Sequence, residues 1–461
     1  MAEGTRHGAK SESGIKLFGL VWLVPGVTNL HVVSLMWAAL VSIGLLTIIS
    51  IATNYILTTN FKDIVAVGDY GKINGDLTFW TEVTLILLFS AVGVMADRIG
   101  RRPVFAFGLM GMGLGYLFYP LAGSLGELTV YRVIYAVGLA ATTGMLGTVV
   151  QDYPQEKSRG KMIAIFGLLN GLGVILMNVL FRYLLNLAEG WGFDETGAGK
   201  FALWVIVSIC FVSAGVVGLG LKPGTPVRHE DRSDLRTLIR AGFLQAKNPR
   251  IALAYSSAFV ARSDLVILGT FSVTWGTVAG VSQGLSGMES ARAALLIFIT
   301  AQTAALFWVP VAGFIMDRLN RVTGAAILLA FAAIGYTATI FVDNPLDPSA
   351  MKFFVLLGIG QMSAFFAATV LIGQEAPVAE RGSVVGMFNV VGAIGILIST
   401  VIGGRLFDAV APSAPFVMIG IFNSIICLAA IVVRIKSPGP IPDNLGNRLS
   451  VLKARFKADE T

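Results

Sequence analysis

Long runs of apolar residues, broken by charged or turn-forming clusters, dominate the 461-residue chain. Twelve can be delimited, at roughly 32–58, 79–97, 103–122, 127–150, 161–186, 201–221, 251–280, 291–316, 322–342, 351–374, 383–408 and 413–435. Each has about the ~20 residues that a helix needs to cross a hydrocarbon core. Helix is the assignment that backbone chemistry permits, because in lipid every N–H and C=O must find its partner within the segment. A transmembrane β-barrel would show ~10-residue alternating segments, and none is visible. The pattern predicts an all-α membrane protein with twelve transmembrane helices.

Composition agrees: 55% of residues are apolar and 13% are charged, against about 25% charged in an average soluble domain. A soluble enzyme, a disordered chain and a disulfide-stapled secreted domain are excluded. Cys210 and Cys427 lie within apolar runs and read as small buried hydrophobes. His7, His31 and His229 are scattered, so no metal site and no cofactor are expected. Gly14–Pro25 is mildly apolar but lacks a small-residue cleavage site, which predicts that the first span is retained.

Positive charge sets the orientation. With the N-terminus inside, cytoplasmic segments hold 25 of the 34 Lys and Arg, outer segments hold six, and Arg132, Arg182 and Arg262 fall within spans. Both termini are therefore expected in the cytoplasm. The net charge of +7 is then a topology signal, and nucleic acid is not an expected partner. One long cytoplasmic segment divides the chain in two. The expected organisation is an N-terminal segment (1–31), a six-helix bundle (32–221), a linker (222–250), a second bundle (251–436) and a tail (437–461). In the linker, Leu235, Leu238, Ile239 and Phe243 recur at helical spacing and predict an amphipathic helix on the inner leaflet.

The halves repeat. Gly93-Val94-Met95-Ala96-Asp97-Arg98-Ile99-Gly100-Arg101-Arg102 follows span two, and Gly313-Phe314-Ile315-Met316-Asp317-Arg318-Leu319-Asn320-Arg321 follows span eight, 220 positions on. After spans four and ten, Gln151-Asp152-Tyr153-Pro154 with Arg159-Gly160 is matched by Gln374-Glu375-Ala376-Pro377 with Arg381-Gly382, 222–223 positions on. Two matches at nearly one offset mark a duplicated six-helix unit.

At these residues the chain resembles the major facilitator superfamily of secondary transporters. The string at 93–102 matches that family's loop between helices two and three throughout. The second copy departs from it, with Asn320 for the later glycine and Val322 for the last basic residue. The resemblance spans about 32–436 and implies two six-helix bundles around a central cavity lined by helices one, four, seven and ten. It also implies a cytoplasmic gate that latches in the outward-facing state. Its members here are Gly93, Asp97, Arg98, Gly100, Arg101, Arg102, Asp152 and Arg159, with Asp317, Arg318, Arg321, Glu375 and Arg381 in the second half. Independently of the family, Gly93 permits close helix approach. Asp97 can accept from a neighbouring helix N-terminus, where an anion gains ~0.3–1 kcal/mol. The arginines can reach Asp152, Glu156 or helix-end carbonyls.

Ionisable groups at depth cost at least ~2.5–3.5 kcal/mol on insertion scales and mark substrate or ion paths. Arg262 and Asp264 lie about 17–20 Å along span seven at 1.5 Å per residue. Residues two apart do not face each other on a helix, so each needs its own partner. Asp264 is the candidate proton-exchanging carboxylate; a fixed interhelical pair fits it as well. On that reading Asp264→Asn abolishes pH-driven transport and spares folding. Arg132 matches the arginine of the family's fourth-helix signature, tied in relatives to protons or substrate anions; snorkelling to the outer interface is the alternative. Asn54, Tyr55 and Gln361 could bind substrate or act as interhelical glue. Glu82, three residues into the expected span two, reads as interfacial.

Span five has Gly167, Gly171 and Gly173 but lacks the proline-containing antiporter pattern of the family's drug exporters, and sugar-porter signatures are also missing. No phosphate-binding G-x-x-x-x-G-K-[ST] loop occurs. The expected function is secondary active transport of a small organic, anionic or amphipathic solute. Protons are the expected coupling ion, and the setting is the plasma or inner membrane, with the protein a monomer. An uncoupled facilitator or multidrug-type exporter is the alternative; no catalytic cluster of a membrane enzyme and no receptor domain is visible.

Overall fold

The computed structural model describes residues 16–17, 21–155, 158–224, 240, 242–377 and 381–439. Among these, twelve helices are long and apolar enough to span a membrane. They are α1 (Asn29–Thr59), α2 (Tyr70–Ile99), α3 (Arg101–Phe118), α4 (Leu125–Asp152), α5 (Arg159–Gly190) and α6 (Glu195–Gly220) in the first half. The second half holds α7 (Pro249–Ser282), α8 (Gly287–Arg318), α9 (Arg321–Thr337), α10 (Met351–Glu375), α11 (Arg381–Ala409) and α12 (Ala414–Lys436). The expected amphipathic stretch through Leu235, Leu238 and Ile239 lies outside the described residues, as do 440–461.

Caps account for several boundaries. Thr28 accepts from the His31 N–H while His31 Nδ1 accepts from the Thr28 N–H, so α1 starts at a histidine version of the capping box. Asn248 caps α7 at the matching position, with Pro249 first in the helix, where its missing N–H costs nothing. The α2–α3 turn rests on Gly100 at φ +95°, a conformation that favours glycine. Its mate Asn320 makes the turn differently. It keeps φ at −53° and accepts from the Val322 and Thr323 N–H groups with its side chain. The diverged second copy has therefore exchanged a backbone solution for a side-chain cap.

One boundary differs from the hydropathy reading in a way that matters. Helix α2 begins at Tyr70, nine residues before the apolar run, and takes in Lys72, Asn74 and Asp76. These polar positions hide the start because in this region the helix packs on the other half rather than on lipid. The N-terminal segment also carries structure: a short antiparallel pairing of β1 (Lys16–Leu17) with β2 (Val21–Trp22). Val24 N–H then donates to Tyr153 O, and Gln155 N–H to Trp22 O, at 2.9 and 2.8 Å. With Val21, Leu23 and Val27 buried, this strap props the α4–α5 loop.

Helices α3 and α6 in the first half, and α9 and α12 in the second, pack mainly within their own half. The halves meet chiefly through α2 against α11 and α5 against α8, with α1 against α7 between them. Helix α1 starts and α12 ends on the same side, the terminal end; the opposite side is the distal end. At the distal end the halves touch backbone to backbone. A Cβ on Gly75 would lie 2.6 Å from the Thr400 carbonyl, and one on Gly404 would lie 2.6 Å from the Gly71 carbonyl. Toward the terminal end the same kind of position is open. Around Gly93, Gly147, Gly167, Gly373 and Gly386, on α2, α4, α5, α10 and α11, no atom lies within 4 Å of where a Cβ would sit. The halves are sealed distally and part toward the terminal end.

Gly404→Val should consequently prevent distal closure. A cysteine placed at Thr58, buried beside Gly287, should become reactive to a polar thiol reagent in that variant, with the native cysteines replaced. Unchanged protection would mean that the α2–α11 approach does not form the seal.

Candidate functional site

Arg262 and Asp264 point in opposite directions, as residues about 200° apart on a helix must. Arg262 is exposed between the halves, and its Nη2 donates to Asn389 Oδ1 on α11 at 2.6 Å. Asp264 is fully buried. Asn423 Nδ2 on α12 donates to both its carboxyl oxygens at 3.2 Å, and the Tyr336 hydroxyl on α9 donates to its backbone carbonyl at 2.7 Å. Of the two readings of Asp264, proton-exchanging carboxylate and fixed interhelical contact, this geometry fits the second. Its partners stand on α9 and α12, which pack within the second half, and the contacts tie three helices of that half together.

Arg132 does not snorkel. It is 4% exposed, its Nε donates to Thr81 Oγ1 at 2.8 Å, and its Nη1 donates to Thr53 Oγ1 at 3.3 Å. Its guanidinium lies 5.8 Å from the Tyr135 ring centre. Beside Thr81 is Glu82, which the sequence reading had set at the interface. Because α2 begins at Tyr70, Glu82 is twelve residues in, about 18 Å along the helix. It is half-buried and within electrostatic reach of Arg262 and Arg132. Arg132 is thus tied to α2 next to Glu82, and Arg262 to α11 through Asn389, with an electrostatic attraction between Glu82 and both arginines. Glu82 is the residue that sequence reasoning missed; tracing span two back through Asp76 and Asn74 to Tyr70 would have found it.

The other intramembrane candidates lie elsewhere. Asn54 Nδ2 donates to Ser50 O at 2.9 Å and to Thr274 Oγ1 at 3.2 Å, and accepts from Asn74 Nδ2 at 3.2 Å. Thr274 is 220 positions on, so Asn54 meets its own repeat mate across the pseudo-two-fold axis. Tyr55 donates to the Glu195 carbonyl at the start of α6. Gln361 accepts from Gln302 Nε2 at 3.4 Å. Tyr55 and Gln361 are buried inside their halves.

The repeated motif holds the terminal end of the first half together. Arg101 on α3 pairs with Asp152 on α4, and Arg102 Nε donates to the Gly218 carbonyl near the end of α6. Asp97 and Arg98 are exposed, and Gly93 borders open space. Arg159 opens α5. In the second half Arg321 pairs with Asp317 at 3.3 Å, and Arg318 lies 4.5 Å from the Phe314 ring centre. Glu375 pairs with Arg250 at the start of α7, at 3.1 Å. Arg381 opens α11, but its side chain lies outside the described residues.

Carboxylates on helix N-termini, which the sequence suggested for Asp97, occur at the distal end. Asp408 Oδ1 accepts from the Gly71 N–H at 2.9 Å, and its Oδ2 accepts from the Lys72 N–H at 2.6 Å, at the start of α2. Glu195 Oε1 accepts from the Met288 N–H at the start of α8, at 3.3 Å. Ion pairs flank both contacts: Arg405 with Asp76 at 3.1 Å and Arg292 with Glu189 at 2.5 Å. Each joins one half to the other. No cluster of three or more potential metal ligands occurs among the described residues.

Three kinds of likeness bear on this arrangement. The profile of the Major Facilitator Superfamily matches residues 35–400 and 293–456. The magnetosome protein MamH of Paramagnetospirillum magneticum is 29% identical over 78% of this chain and 83% of its own length. MamZ of the same organism is 26% identical over 78% of this chain, which spans 56% of that longer protein. The niacin transporter NiaP of Acinetobacter baylyi is 25% identical over 74% of this chain and 79% of its own. The crystal structure of the nucleoside transporter NupG superposes with a TM-score of 0.65 at 14% identity, covering 88% of this chain and 99% of that one.

Proposed function

The chain belongs to the Major Facilitator Superfamily and is an integral membrane protein, and from that premise we propose that it carries a small organic anion by alternating access. The observation that supports this is the charged passage between the halves, closed distally and open toward the terminal end. Arg262 stands exposed in it and Glu82 half-buried, with Arg132 buried behind Thr81, a net local charge of +1 if all three are ionised. In a low-dielectric interior such an excess calls for an anion, and Arg262 offers the planar fork that suits a carboxylate. Asn389 and Thr81 hold the two guanidinium groups in place. The terminal end is cytoplasmic on the Lys/Arg distribution, in the plasma or inner membrane. The passage lies within one chain, so a monomer suffices. Protons are the proposed driving ion.

Transport proceeds by exchanging one set of cross-half contacts for another. Release of Asp408 and Glu195 from the α2 and α8 N-termini opens the distal end. The motif around Asp97 then meets the second half and closes the terminal end.

Counterflow in proteoliposomes tests the reading. Niacin, the solute named for the Acinetobacter relative, and citrate serve as first probes beside a panel of simple carboxylates. Uptake of at least one anion by the native protein, reduced at least tenfold in Arg262→Ala, is the expected result. Failure of every anion to exchange, with uptake of cations instead, would overturn the anion assignment. An imposed pH gradient separates the coupled carrier, which accumulates solute, from a facilitator, which only equilibrates it.

A further inference from the structure

We propose that Arg262 and Asn389 together receive a carboxylate that carries a hydroxyl on the adjoining carbon, a 2-hydroxy acid, and that Asn389 is the residue that selects it. The proposal rests on the transport reading above and deepens it by naming the class of anion.

Helix α11 fixes Arg262 at both ends of its side chain. Gly386, Asn389 and Gly392 recur at three-residue spacing and so share one face of α11. A Cβ on Gly392 would lie 2.6 Å from Arg262 Cγ, so the glycine is what lets the aliphatic stem lie against the helix. About one turn away, Asn389 Oδ1 accepts from Arg262 Nη2 at 2.6 Å and holds the head. A further turn toward the terminal end, no atom lies within 4 Å of where a Cβ would sit on Gly386. The face therefore runs from a packed glycine, through the amide, to open space on the side from which the passage is entered.

Donor chemistry then orients the amide. A guanidinium only donates, so Asn389 must turn its oxygen to Nη2 and its Nδ2 away. Neither Asn389 Nδ2 nor Arg262 Nε and Nη1 has a hydrogen-bond partner among the described residues, and both side chains are exposed. The pair thus presents a guanidinium edge with an amide donor beside it. A simple carboxylate occupies the edge and leaves the amide to water. An anion with an oxygen next to its carboxylate occupies both. A site whose polar groups are matched by a substrate hydroxyl rejects the analogue that lacks it, because a donor shielded from water is then left unpaired.

The repeat confines this arrangement to one half. At the 220-position offset that joins Asn54 to Thr274, the mate of Arg262 is Ser42. At the 222-position offset that joins Arg159 to Arg381, the mate of Asn389 is Gly167. The helix approach itself is kept in both halves: Gly173 of α5 lies against the Leu40 carbonyl of α1, as Gly395 of α11 lies against the Phe259 carbonyl of α7. Packing alone therefore needs the glycines, and neither the cation nor the amide.

The test is calorimetric titration of the purified protein in nanodiscs with two pairs of anions that differ by one hydroxyl, lactate against propionate and malate against succinate. The native protein should bind the hydroxylated member of at least one pair at least tenfold more tightly. In Asn389→Ala that preference should fall to threefold or less. Gly392→Ala, which displaces the Arg262 stem, should weaken both members of the pair alike and leave their ratio within twofold of native. Arg262→Ala should bind neither. A native preference below threefold overturns the proposal, as does a preference that survives in Asn389→Ala. So does a native protein that exchanges other anions in counterflow but binds none of these four, and that result leaves the carrier assignment intact. Absence of counterflow for every anion defeats the underlying transport reading instead. If Asn389→Ala fails to fold, Asn389→Asp keeps the shape, removes the donor and neutralises Arg262. It should bind none of the four, and a native-like preference there would overturn the proposal.

Discussion

Asp408→Asn should shift the protein toward a distally open state. The native carboxylate accepts from two backbone N–H groups at the start of α2, at 2.9 and 2.6 Å. It also meets the positive end of that helix's macrodipole. Asparagine keeps one acceptor and turns an amide donor toward the other N–H, which has no use for it. Hydrogen bonds to charged groups contribute about 1.5–3 kcal/mol, and the charge at a helix N-terminus adds ~0.3–1 kcal/mol. Asp408 is half-buried, and the open state returns these groups to water. A net shift of about 1–3 kcal/mol is therefore expected, roughly 5- to 150-fold in the ratio of conformations. Spin labels at Val67 and Val410 read it directly as a longer-distance population absent from the native protein. An unaltered distance distribution would show that the carboxylate does not hold the seal.

A second large effect is expected at the other end. Arg101 and Asp152 pair with side-chain exposures of 6% and 16%. Removing one member of a buried pair leaves its partner as an uncompensated charge, at a cost of about 3–5 kcal/mol. Asp152→Ala should thus lower the thermal stability of the purified protein sharply. Replacing both, as Arg101→Met with Asp152→Leu, should recover much of the loss, since an apolar pair of similar volume is often neutral. A single variant that melts with the native protein would show the pair to be screened by water. The double variant separates folding from gating. If it folds but leaves the terminal end permanently open, the pair orders the motif for closure as well as stabilising the half.

The architecture was legible because the bilayer imposes a length on apolar runs, and because duplication repeated two motifs at almost one offset. Turning residue patterns into a site was harder. The two-residue spacing of Arg262 and Asp264 correctly separated them, but helical spacing alone does not say which faces the passage. That choice depends on where α9, α11 and α12 pack. Glu82 was hidden by its own helix: Lys72, Asn74 and Asp76 look like a loop until α11 supplies the surface against which they lie. Asp408 carried no signal, since its function depends on a helix start more than 330 positions earlier. Tyr55 and Gln361 show the converse. Polar residues on the expected cavity helices proved to bind their own bundles, because a helix in the interior of a bundle has more than one polar face to satisfy.

The distal rim has an unequal division of charge. Asp76, Glu189 and Glu195 belong to the first half, and Arg292 and Arg405 to the second. Asp408 runs the other way, from the second half to the α2 N-terminus of the first. Two copies of the first half brought together there would lack Arg292 and Arg405, and two of the second would lack Asp76 and Glu189. Divergence since duplication has therefore made these contacts specific to unlike halves. Each bundle is now keyed to its opposite, and a molecule assembled from two identical halves would not be able to shut its distal mouth.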